Sequence, residues 1–397
     1  MPETHRLDRR ALLAIAAGGS VSLTLGNTAF ARQDASPEAS PAASPAEEGG
    51  GLPPLPAGAT PVAQGLWNPG DLAFGPDGII YIAETGVTGG GTDAPTQATP
   101  LPNGTPVTAA PPLVMPQIST VAPDGTQAVL TTDIGGVGIG VTDHDVYVST
   151  GGGSVGSGFA PLPQENTVSA FDLMTKKSRV IASLGPYEVE HNPDGLDINP
   201  NLYGLATATD GTLYVADAGG NTIYTVNPES GEFALFAVVP NLTDLTGATP
   251  TAEEQAMQPG PRQPVPTSIV LDANGTVTVT LLGEMWSGPS VLNFTPDGSS
   301  YTEGVSGLSM IVNSALGPDG LLYVSQLSAD LNTGAPGAVL RINSDGTVEP
   351  VVEGLFFPHG IVFSPEGHLF VATNAIISGP DAPLGMVLRI DNVATPA

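Results

Sequence analysis

The stretch "LAFGPDGIIYIAE", Leu72 to Glu84, contains the pattern that decides the fold. A short apolar run is followed by Pro76-Asp77-Gly78. This tripeptide favours a tight turn because proline presets φ, aspartate bonds to nearby backbone and glycine accepts a positive φ. The residues after the turn alternate with a period of two and favour a pleated strand. The stretch therefore predicts a hairpin, which is marginal in water unless other strands cover it.

The same hairpin recurs along the chain. Most copies are followed by a second pair of strands with its own turn, as in "TIYTVNPESGEFALF" from Thr222. Four strands per unit, repeated at a step near 45 residues with insertions in the first three units, are typical of propeller blades. We predict an all-β, six-bladed β-propeller; the alternative is seven blades, with one blade hidden in an insertion. Equivalent positions of the six hairpins are Tyr81, Tyr147, Tyr214, Thr278, Tyr323 and Phe370.

The two ends of the repeat array predict how the ring closes. "PVAQGL", Pro61 to Leu66, is similar to "PVVEGL", Pro350 to Leu355, which ends a blade as its outer strand. The last blade has only three strands of its own and stops after "GMVLRID". We therefore expect the N-terminal segment to supply the missing outer strand. Such closure leaves no free sheet edge for aggregation.

The first 59 residues predict export and a tether. Residues 1–31 combine Arg9-Arg10, an apolar run and an Ala29-Phe30-Ala31 cleavage pattern, which resembles a twin-arginine signal peptide of bacteria. Residues 32–59 are rich in Ser, Pro, Ala and Gly and predict a disordered linker. The propeller domain is then expected at 60–397. The chain is expected to be secreted, outside the bacterial cytoplasm.

Composition excludes several classes of partner and site. The 51 Gly and 40 Pro in 397 residues are typical of a loop-rich β protein and not of a helical bundle. Ten basic and 39 acidic residues give a net charge of −29, which repels nucleic acid and anionic membranes. The absence of cysteine excludes disulfides, thiol nucleophiles and cysteine-ligated metals. No long apolar segment follows the signal peptide, so we expect no membrane span. We also expect the chain to be a monomer.

Polar residues at the ends of inner strands are the first candidates for a site. Glu84, Asp217 and Gln326 come directly after the second strand of a blade, and Asn313 and His359 lie near the start of an inner strand. In a propeller, the loops at one mouth of the channel carry the variable polar groups. These side chains therefore either cap strand ends or contact a ligand at the channel mouth.

The segment "YEVEHNPDGLDINPNLYGL", Tyr187 to Leu205, is the richest in polar residues. Its many oxygen ligands suit a hard cation such as calcium. The spacing does not match an EF-hand loop, however, and Asn-Pro-Asp-Gly is also ordinary turn chemistry. The full set of candidate ligand-binding residues is Glu84, Glu188, His191, Asn192, Asp194, Tyr203, Asp217, Asn221, Asn313, Gln326 and His359.

Four stretches together resemble the ScyD/ScyE family of exported bacterial propellers. They are "LWNPGDLAFGPDGIIYIAE", "YEVEHNPDGLDINPNLYGLATATDGTLYVADAGGNTIYTV", "VPTSIVLDANGTV" and "AVLRINSDGTVEPVVEGLFFPHGIVFSPEGHLFVAT". The "PDG-LYVA" hairpins alone are shared with NHL-repeat and gluconolactonase-like propellers. The resemblance, from about Pro61 to Asp391, implies the fold and export. It implies no established reaction and no catalytic residue.

Two functions from different classes fit these observations. The first is a non-catalytic exported propeller that binds a small molecule, a glycan or a protein at its channel mouth. The alternative is a calcium-dependent lactonase or hydrolase of the gluconolactonase type, in which a channel calcium polarises a carbonyl. Glu84, Asp217 and Asn313 are the predicted calcium ligands of that alternative. Calcium is accordingly the one cofactor considered, and no catalytic residue is assigned.

Overall fold

The structure, a computed structural model, describes residues 52–87, 114–152, 164–245, 262–283, 289–330, 334–379 and 381–395. The predicted signal peptide and residues 32–51 of the predicted linker lie outside these ranges, as does most of the long insertion of the first blade. Within the described residues, almost all regular structure is β-strand. The strands form six antiparallel four-stranded sheets.

Blades 1 to 3 follow the chain from the inner strand to the outer strand. The turns predicted from Pro-Asp-Gly and its relatives join the first strand to the second. The strands of blade 1 are β2 (Pro69–Phe74), β3 (Ile80–Glu84), β4 (Gln117–Val121) and β5 (Gln127–Thr131). Those of blade 2 are β6 (Gly138–Val141), β7 (Asp145–Thr150), β8 (Thr167–Asp172) and β9 (Ser178–Ser183). Those of blade 3 are β10 (Leu202–Thr207), β11 (Leu213–Asp217), β12 (Thr222–Val226) and β13 (Phe233–Val238).

Blades 4 and 5 repeat the same order, and blade 6 takes its fourth strand from the N-terminal part of the chain. The strands of blade 4 are β14 (Pro266–Leu271), β15 (Val277–Leu281), β16 (Val291–Phe294) and β17 (Tyr301–Glu303). Those of blade 5 are β18 (Ile311–Leu316), β19 (Leu322–Gln326), β20 (Gly337–Ile342) and β21 (Val348–Leu355). Those of blade 6 are β22 (Ile361–Phe363), β23 (Leu369–Thr373), β24 (Gly385–Ile390) and β1 (Ala59–Leu66).

The ring closes as the sequence predicts. Strand β1 pairs antiparallel with β24, from Ala59 opposite Ile390 to Leu66 opposite Gly385. The six-bladed propeller is confirmed, and the alternative of seven blades is wrong. Residues 52–56, near the end of the predicted linker, border a small groove that is also lined by Leu355 of blade 5 and Met386 of blade 6.

The core lies between neighbouring blades. Ile223 of blade 3 packs in one cluster with Ile269 and Val279 of blade 4, and Ile82 of blade 1 packs with Phe370 of blade 6. Burying such side chains contributes about 1.5 to 3 kcal/mol each. Each inner strand also contacts the inner strand of the next blade around the whole ring. The sheets are therefore arranged around one axis.

The antiparallel order gives the ring two different ends. We call one end the turn face, because it carries the tight turns between first and second strands and between third and fourth strands. We call the other end the loop face. Second strands end there, third strands begin there, and the chain passes there from one blade to the next. All the internal gaps between the described ranges begin and end at this face.

One helix, α1 (Gly185–His191), lies at the loop face between blades 2 and 3. The sequence pattern predicts a polar insertion here but not a helix. Pro186 occupies the first turn, where its missing N–H costs no hydrogen bond. The helix ends at Asn192, which adopts the left-handed conformation with φ 40°. No helix of the described part of the chain is long and apolar enough to cross a membrane.

Candidate functional site

The candidate residues fall into three separate groups on the loop-face half of the molecule. The first group ties strand ends to neighbouring segments. The second lies on the axis, and the third surrounds α1 and the edge of blade 3.

Glu84, at the end of β3, holds three segments of blade 1 together. Its carboxylate accepts hydrogen bonds from the Trp67 backbone N–H (2.5 Å), the Ser119 hydroxyl (2.5 Å) and the Gln117 amide (2.8 Å). The side chain is fully buried, and this burial raises the pKa of Glu84 while the three hydrogen bonds lower it. Both carboxylate oxygens are therefore used in fixing the blade.

The same tie recurs at the ends of other second strands. In each case a polar side chain bonds to the backbone segment that leads into the inner strand of its own blade. Such a bond satisfies a buried backbone group and stabilises the strand end. The three hydrogen bonds run from the Gln326 side-chain amide to the Ser309 carbonyl oxygen (2.9 Å), from the Thr373 hydroxyl to the Phe356 carbonyl oxygen (2.7 Å) and from the Thr150 hydroxyl to the Gly135 carbonyl oxygen (2.9 Å).

The second group brings residues of four blades together on the axis. The Tyr203 hydroxyl and the His359 Nε2 atom are 2.5 Å apart. The Asn313 amide oxygen accepts a hydrogen bond from the Ile361 N–H (3.1 Å), which joins blade 5 to blade 6. The Asn313 side chain also hydrogen-bonds to Asp71 of blade 1. We call Asp71, Tyr203, Asn313 and His359 the axial polar group.

The pKa of Asp71 departs from its ordinary value in the folded protein. Burial raises its pKa from 3.8 to about 7, and hydrogen bonds from Leu72, Asn313 and Ile139 oppose that rise. Asp71 lies on the inner strand of blade 1 and keeps partial contact with solvent. Burial also raises the pKa of Tyr203, and the negative charge of Asp71 adds to that effect.

Sequence reasoning missed Asp71, although the repeat contains a signal for it. The inner strands can be aligned by their pairing with the second strands. In this alignment, Asp71 occupies the position that small or uncharged residues occupy in the other five blades. Asp71 is the one acid at this level of the ring. A comparison of the inner strands across the repeats could have found it. The equivalent positions are Gly138, Gly204, Ser268, Asn313 and Gly360.

An apolar cluster covers the axial polar group on the loop-face side. Most of its members precede the inner strands or follow the second strands of blades 2 to 6, whereas Tyr203 and Val312 lie within inner strands. Val265, Met310 and Phe357 adopt the left-handed conformation, with φ of 53°, 58° and 47°. Each such residue costs about 1 to 3 kcal/mol of backbone strain, which the surrounding packing must offset. The buried members of this axial apolar cluster are Val137, Tyr203, Ala218, Val265, Leu282, Met310, Val312, Leu327, Phe357, Ala375 and Ile376.

The third group begins with a network of planar polar side chains that we call the third-blade polar patch. The Asn221 amide donates to the Asp194 carboxylate (2.7 Å) and to the Gln263 carbonyl oxygen (2.7 Å). The Gln263 amide in turn donates to Asp197 (2.8 Å). Asp197 is exposed and Asp194 is partly exposed, whereas Asn221 and Gln263 are buried. The patch therefore joins the α1 insertion to blade 3 and to the segment before blade 4.

Two acids lie buried beneath this patch. One Asp217 oxygen accepts hydrogen bonds from the backbone N–H groups of Asn201 (2.7 Å), Gly219 (3.1 Å) and Gly220 (2.8 Å). Its other oxygen and both oxygens of Glu188 have no hydrogen-bond partner. Burial raises the pKa of Glu188 to about 8, with the charges of Asp217, Asp194 and Asp197 adding to it. Burial also raises the pKa of Asp217 to about 6, against its backbone hydrogen bonds.

His191 and Asn192 lie at the outer edge of the third group. The His191 ring is exposed and stacks on Tyr187, with ring centroids 4.1 Å apart. Its Nδ1 atom is 3.1 Å from the Tyr187 carbonyl oxygen. The Asn192 amide donates to the Leu196 carbonyl oxygen (2.8 Å) and closes the loop after α1.

The three predicted calcium ligands have separate partners. Glu84 holds blade 1, Asp217 binds the turn before β12, and Asn313 binds Asp71 and Ile361 on the axis. Among the described residues, no group of three or more His, Cys, Asp or Glu side chains is arranged to hold a metal ion. The common site for these three residues stays a prediction.

Comparison with solved structures gives the same fold. The structure is similar to regucalcin, a calcium-binding protein from Agrobacterium tumefaciens, with a TM-score of 0.51, 12% identity, and 85% of this chain and 94% of that one covered. It is also similar to a gluconolactonase from Xanthomonas campestris, with a TM-score of 0.50, 10% identity, and 83% and 88% covered. The virginiamycin B lyase of Staphylococcus aureus gives a TM-score of 0.46 at 13% identity, with 81% and 94% covered.

This chain has the propeller fold of the gluconolactonase-like proteins. Identities of 10 and 12% carry the fold alone, so the activities of these proteins are not transferred to it. No family model matches the sequence, and no curated protein is similar to it.

Proposed function

We propose that this chain is an exported, non-catalytic propeller that binds its ligand at the loop face, through the third-blade polar patch. One observation carries the proposal: side chains of Asp194, Asn221, Gln263 and Asp197 from three successive segments form one continuous, partly exposed hydrogen-bonded network. Ligand sites typically present a few converging polar groups on a rigid scaffold.

A glycan or another polyhydroxylated small molecule fits this patch best. Carboxylate groups offer several acceptor sites and amide groups offer both donor and acceptor sites, so they can bond to hydroxyl groups while keeping bonds to one another. The exposed His191 ring, stacked on Tyr187, adds a flat surface at the edge of the patch. A protein ligand would instead require a larger contact area, and that difference makes the ligand class testable.

Export and membership of the ScyD/ScyE type belong to the same proposal. The twin-arginine-like segment 1–31 and the Ser/Pro/Ala/Gly segment 32–59 support secretion of a tethered domain. The four resembling stretches support the family. Changing Arg9-Arg10 to Lys-Lys in the expressing bacterium should retain the chain in the cytoplasm. N-terminal sequencing of exported protein should begin after Ala31.

The calcium-dependent lactonase is the second candidate, and the positions of the described residues favour it less. It requires Glu84, Asp217 and Asn313 on one ion. Glu84 already uses both oxygens inside blade 1, and Asn313 lies on the axis beside Asp71. On the same axis, the His359 Nε2 atom lies 2.5 Å from the Tyr203 hydroxyl, and the axial apolar cluster packs beside this pair.

Binding measurements on the mature chain test the proposal. We expect a glycan or polyol array to yield a ligand whose affinity falls at least about tenfold in Asp194→Asn, because that change removes a charge-assisted hydrogen bond. Asp345→Asn, at an exposed turn on the opposite face, is the matched control. Equal affinity in both variants would place the ligand elsewhere. Calcium-dependent lactone hydrolysis by the mature chain would favour the second candidate.

A further inference from the structure

A closed set of oxygen atoms lies between α1 and blade 3, below the third-blade polar patch. Five of these atoms are buried and have no hydrogen-bond partner: both carboxylate oxygens of Glu188, the Oδ2 atom of Asp217, and the hydroxyl oxygens of Thr222 and Tyr224. All four residues are 0% exposed. We call this set the buried oxygen cage.

The strand register brings three of these side chains to one surface of blade 3. Asp217 and Thr222 are direct partners across β11 and β12, and Tyr224 follows Thr222 two residues later on the same side. The Thr222 side chain lies close enough to the Tyr224 hydroxyl to oppose the rise in the pKa of Tyr224 that burial causes, and the charges of Asp217 and Glu188 add to that rise. Helix α1 covers this surface, and Tyr187 packs edge-on against Tyr224, with centroids 5.8 Å apart.

Glu188 reaches into the same space from α1. A side-chain carbon at position 220 would lie 3.0 Å from the Glu188 Oε2 atom and 3.1 Å from the Asp217 Oδ2 atom. The two carboxylates therefore converge over Gly220, where the glycine leaves room. Two such groups without donors between them repel each other, and their burial removes the water that would solvate them.

We propose that the buried oxygen cage holds a hard divalent cation of the calcium class, which fastens α1 to blade 3. Two carboxylates balance the charge of one divalent ion. An all-oxygen ligand set suits calcium, whereas zinc and copper favour nitrogen or sulfur ligands. The cage shares only Asp217 with the three calcium ligands predicted from the sequence, Glu84, Asp217 and Asn313, and is therefore a different site.

The consequences extend to the proposed ligand site. The cation would fix Glu188 and so position α1, whose following loop carries Asp194 and Asp197 of the third-blade polar patch. The cage itself does not depend on the patch binding any ligand. Its test therefore remains informative if the proposed function fails.

Calcium and terbium titrations of the mature chain test the cage. We expect saturable calcium binding in calorimetry with 150 mM sodium chloride present, and a calcium-dependent rise in melting temperature that chelation reverses. Terbium should show luminescence excited through tyrosine, because Tyr224 belongs to the cage. The same titration with magnesium in place of calcium shows which ion radius the site prefers.

Three variants make the result specific. Glu188→Gln should weaken calcium binding at least about tenfold. Because Glu188 makes no hydrogen bond, this change should leave the calcium-free protein folded and no less stable. Asp217→Asn should weaken calcium binding as well while retaining an acceptor for the backbone N–H groups. Glu190→Gln, an exposed acid on the same helix, is the control and should bind normally. Absence of calcium and terbium binding, or an equal loss in Glu190→Gln, would overturn the proposal.

Discussion

The turn face and the loop face use their acidic residues in opposite ways. On the turn face, Asp124 and Asp345 are exposed and accept hydrogen bonds from the backbone two residues ahead, 2.9 Å in both turns. On the loop face, Glu84 is buried and bonds to segments far away in sequence. The first arrangement completes itself within one turn, whereas the second exists only when several segments have come together.

The pKa values of the acidic residues also differ between the two faces. Hydrogen bonds from Thr295 and Ser299 lower the pKa of the exposed Asp297 to about 2. Burial raises the pKa of Asp71 on the axis to about 7 and that of Glu188 to about 8. An exposed carboxylate keeps its water and gains donors, whereas a buried one loses more water than its donors replace. The electrostatic cost of burying Asp71 and Glu188 therefore falls on the loop-face half.

The largest expected effect is at Glu84. Glu84→Ala leaves three donors unpaired in the interior, and we expect it to lower the free energy of unfolding by about 3 to 4 kcal/mol. Asp345→Ala, which removes two hydrogen bonds from an exposed turn, should cost much less. Urea denaturation of both variants measures the difference. Equal losses would show that the two faces do not differ in this respect.

The second effect is a pH dependence set by Asp71. The folded state binds this proton more tightly than the unfolded chain, so its contribution is present below pH 3.8 and is lost as the pH rises through about 7. We expect Asp71→Asn to remove roughly 2 to 4 kcal/mol of the decline in stability between pH 4 and pH 8. Denaturation curves at both pH values compare the variant with the wild type.

Asp297 is the control, because its pKa shift has the opposite sign to that of Asp71. Its pKa is lowered, so its stabilisation is present above pH 3.8 and is lost as the pH falls toward about 2. Asp297→Asn should therefore leave the decline between pH 4 and pH 8 unchanged. An unchanged pH profile in Asp71→Asn would contradict the assignment of that decline to the axis.

The third effect concerns crowding at the axis. A Cβ atom at Gly360 would lie 2.5 Å from the Asp71 Cα atom, so Gly360→Ala forces blades 6 and 1 apart. We expect a loss of about 1 to 3 kcal/mol. Gly379→Ala, at a position with open space on the same face, should be close to neutral. Thermal unfolding distinguishes them, and a neutral Gly360→Ala would mean that the inner strands are less tightly packed than described.

The smallest effect is at a single strand-end tie. Thr373→Val removes the hydrogen bond to the Phe356 carbonyl oxygen and should cost about 1 kcal/mol. Thr347→Val, at an exposed turn, should stay within about 0.5 kcal/mol of the wild type. A larger loss at Thr347 than at Thr373 would reverse the comparison.

The candidate site could be predicted only in part. The sequence pattern placed Glu84 and Gln326 correctly at strand ends, where their bonds are structural ties. It singled out the segment that contains Glu188 and Asp194, because a dense polar insertion interrupts an otherwise economical repeat. It missed Asp71, since one acid inside a short inner strand gives no local signal without alignment of the repeats.

The amino-acid sequence by itself determined the number of blades, the position of their turns and the closure of the ring by residues near Pro61. These features follow from local turn chemistry and from a period of two, and six repetitions make each one visible. Tertiary structure alone decided which polar groups meet, as Tyr203 and His359 do across 156 residues. Such contacts depend on ring closure and on register shifts in the inner strands, and the alternation of apolar residues specifies neither partner.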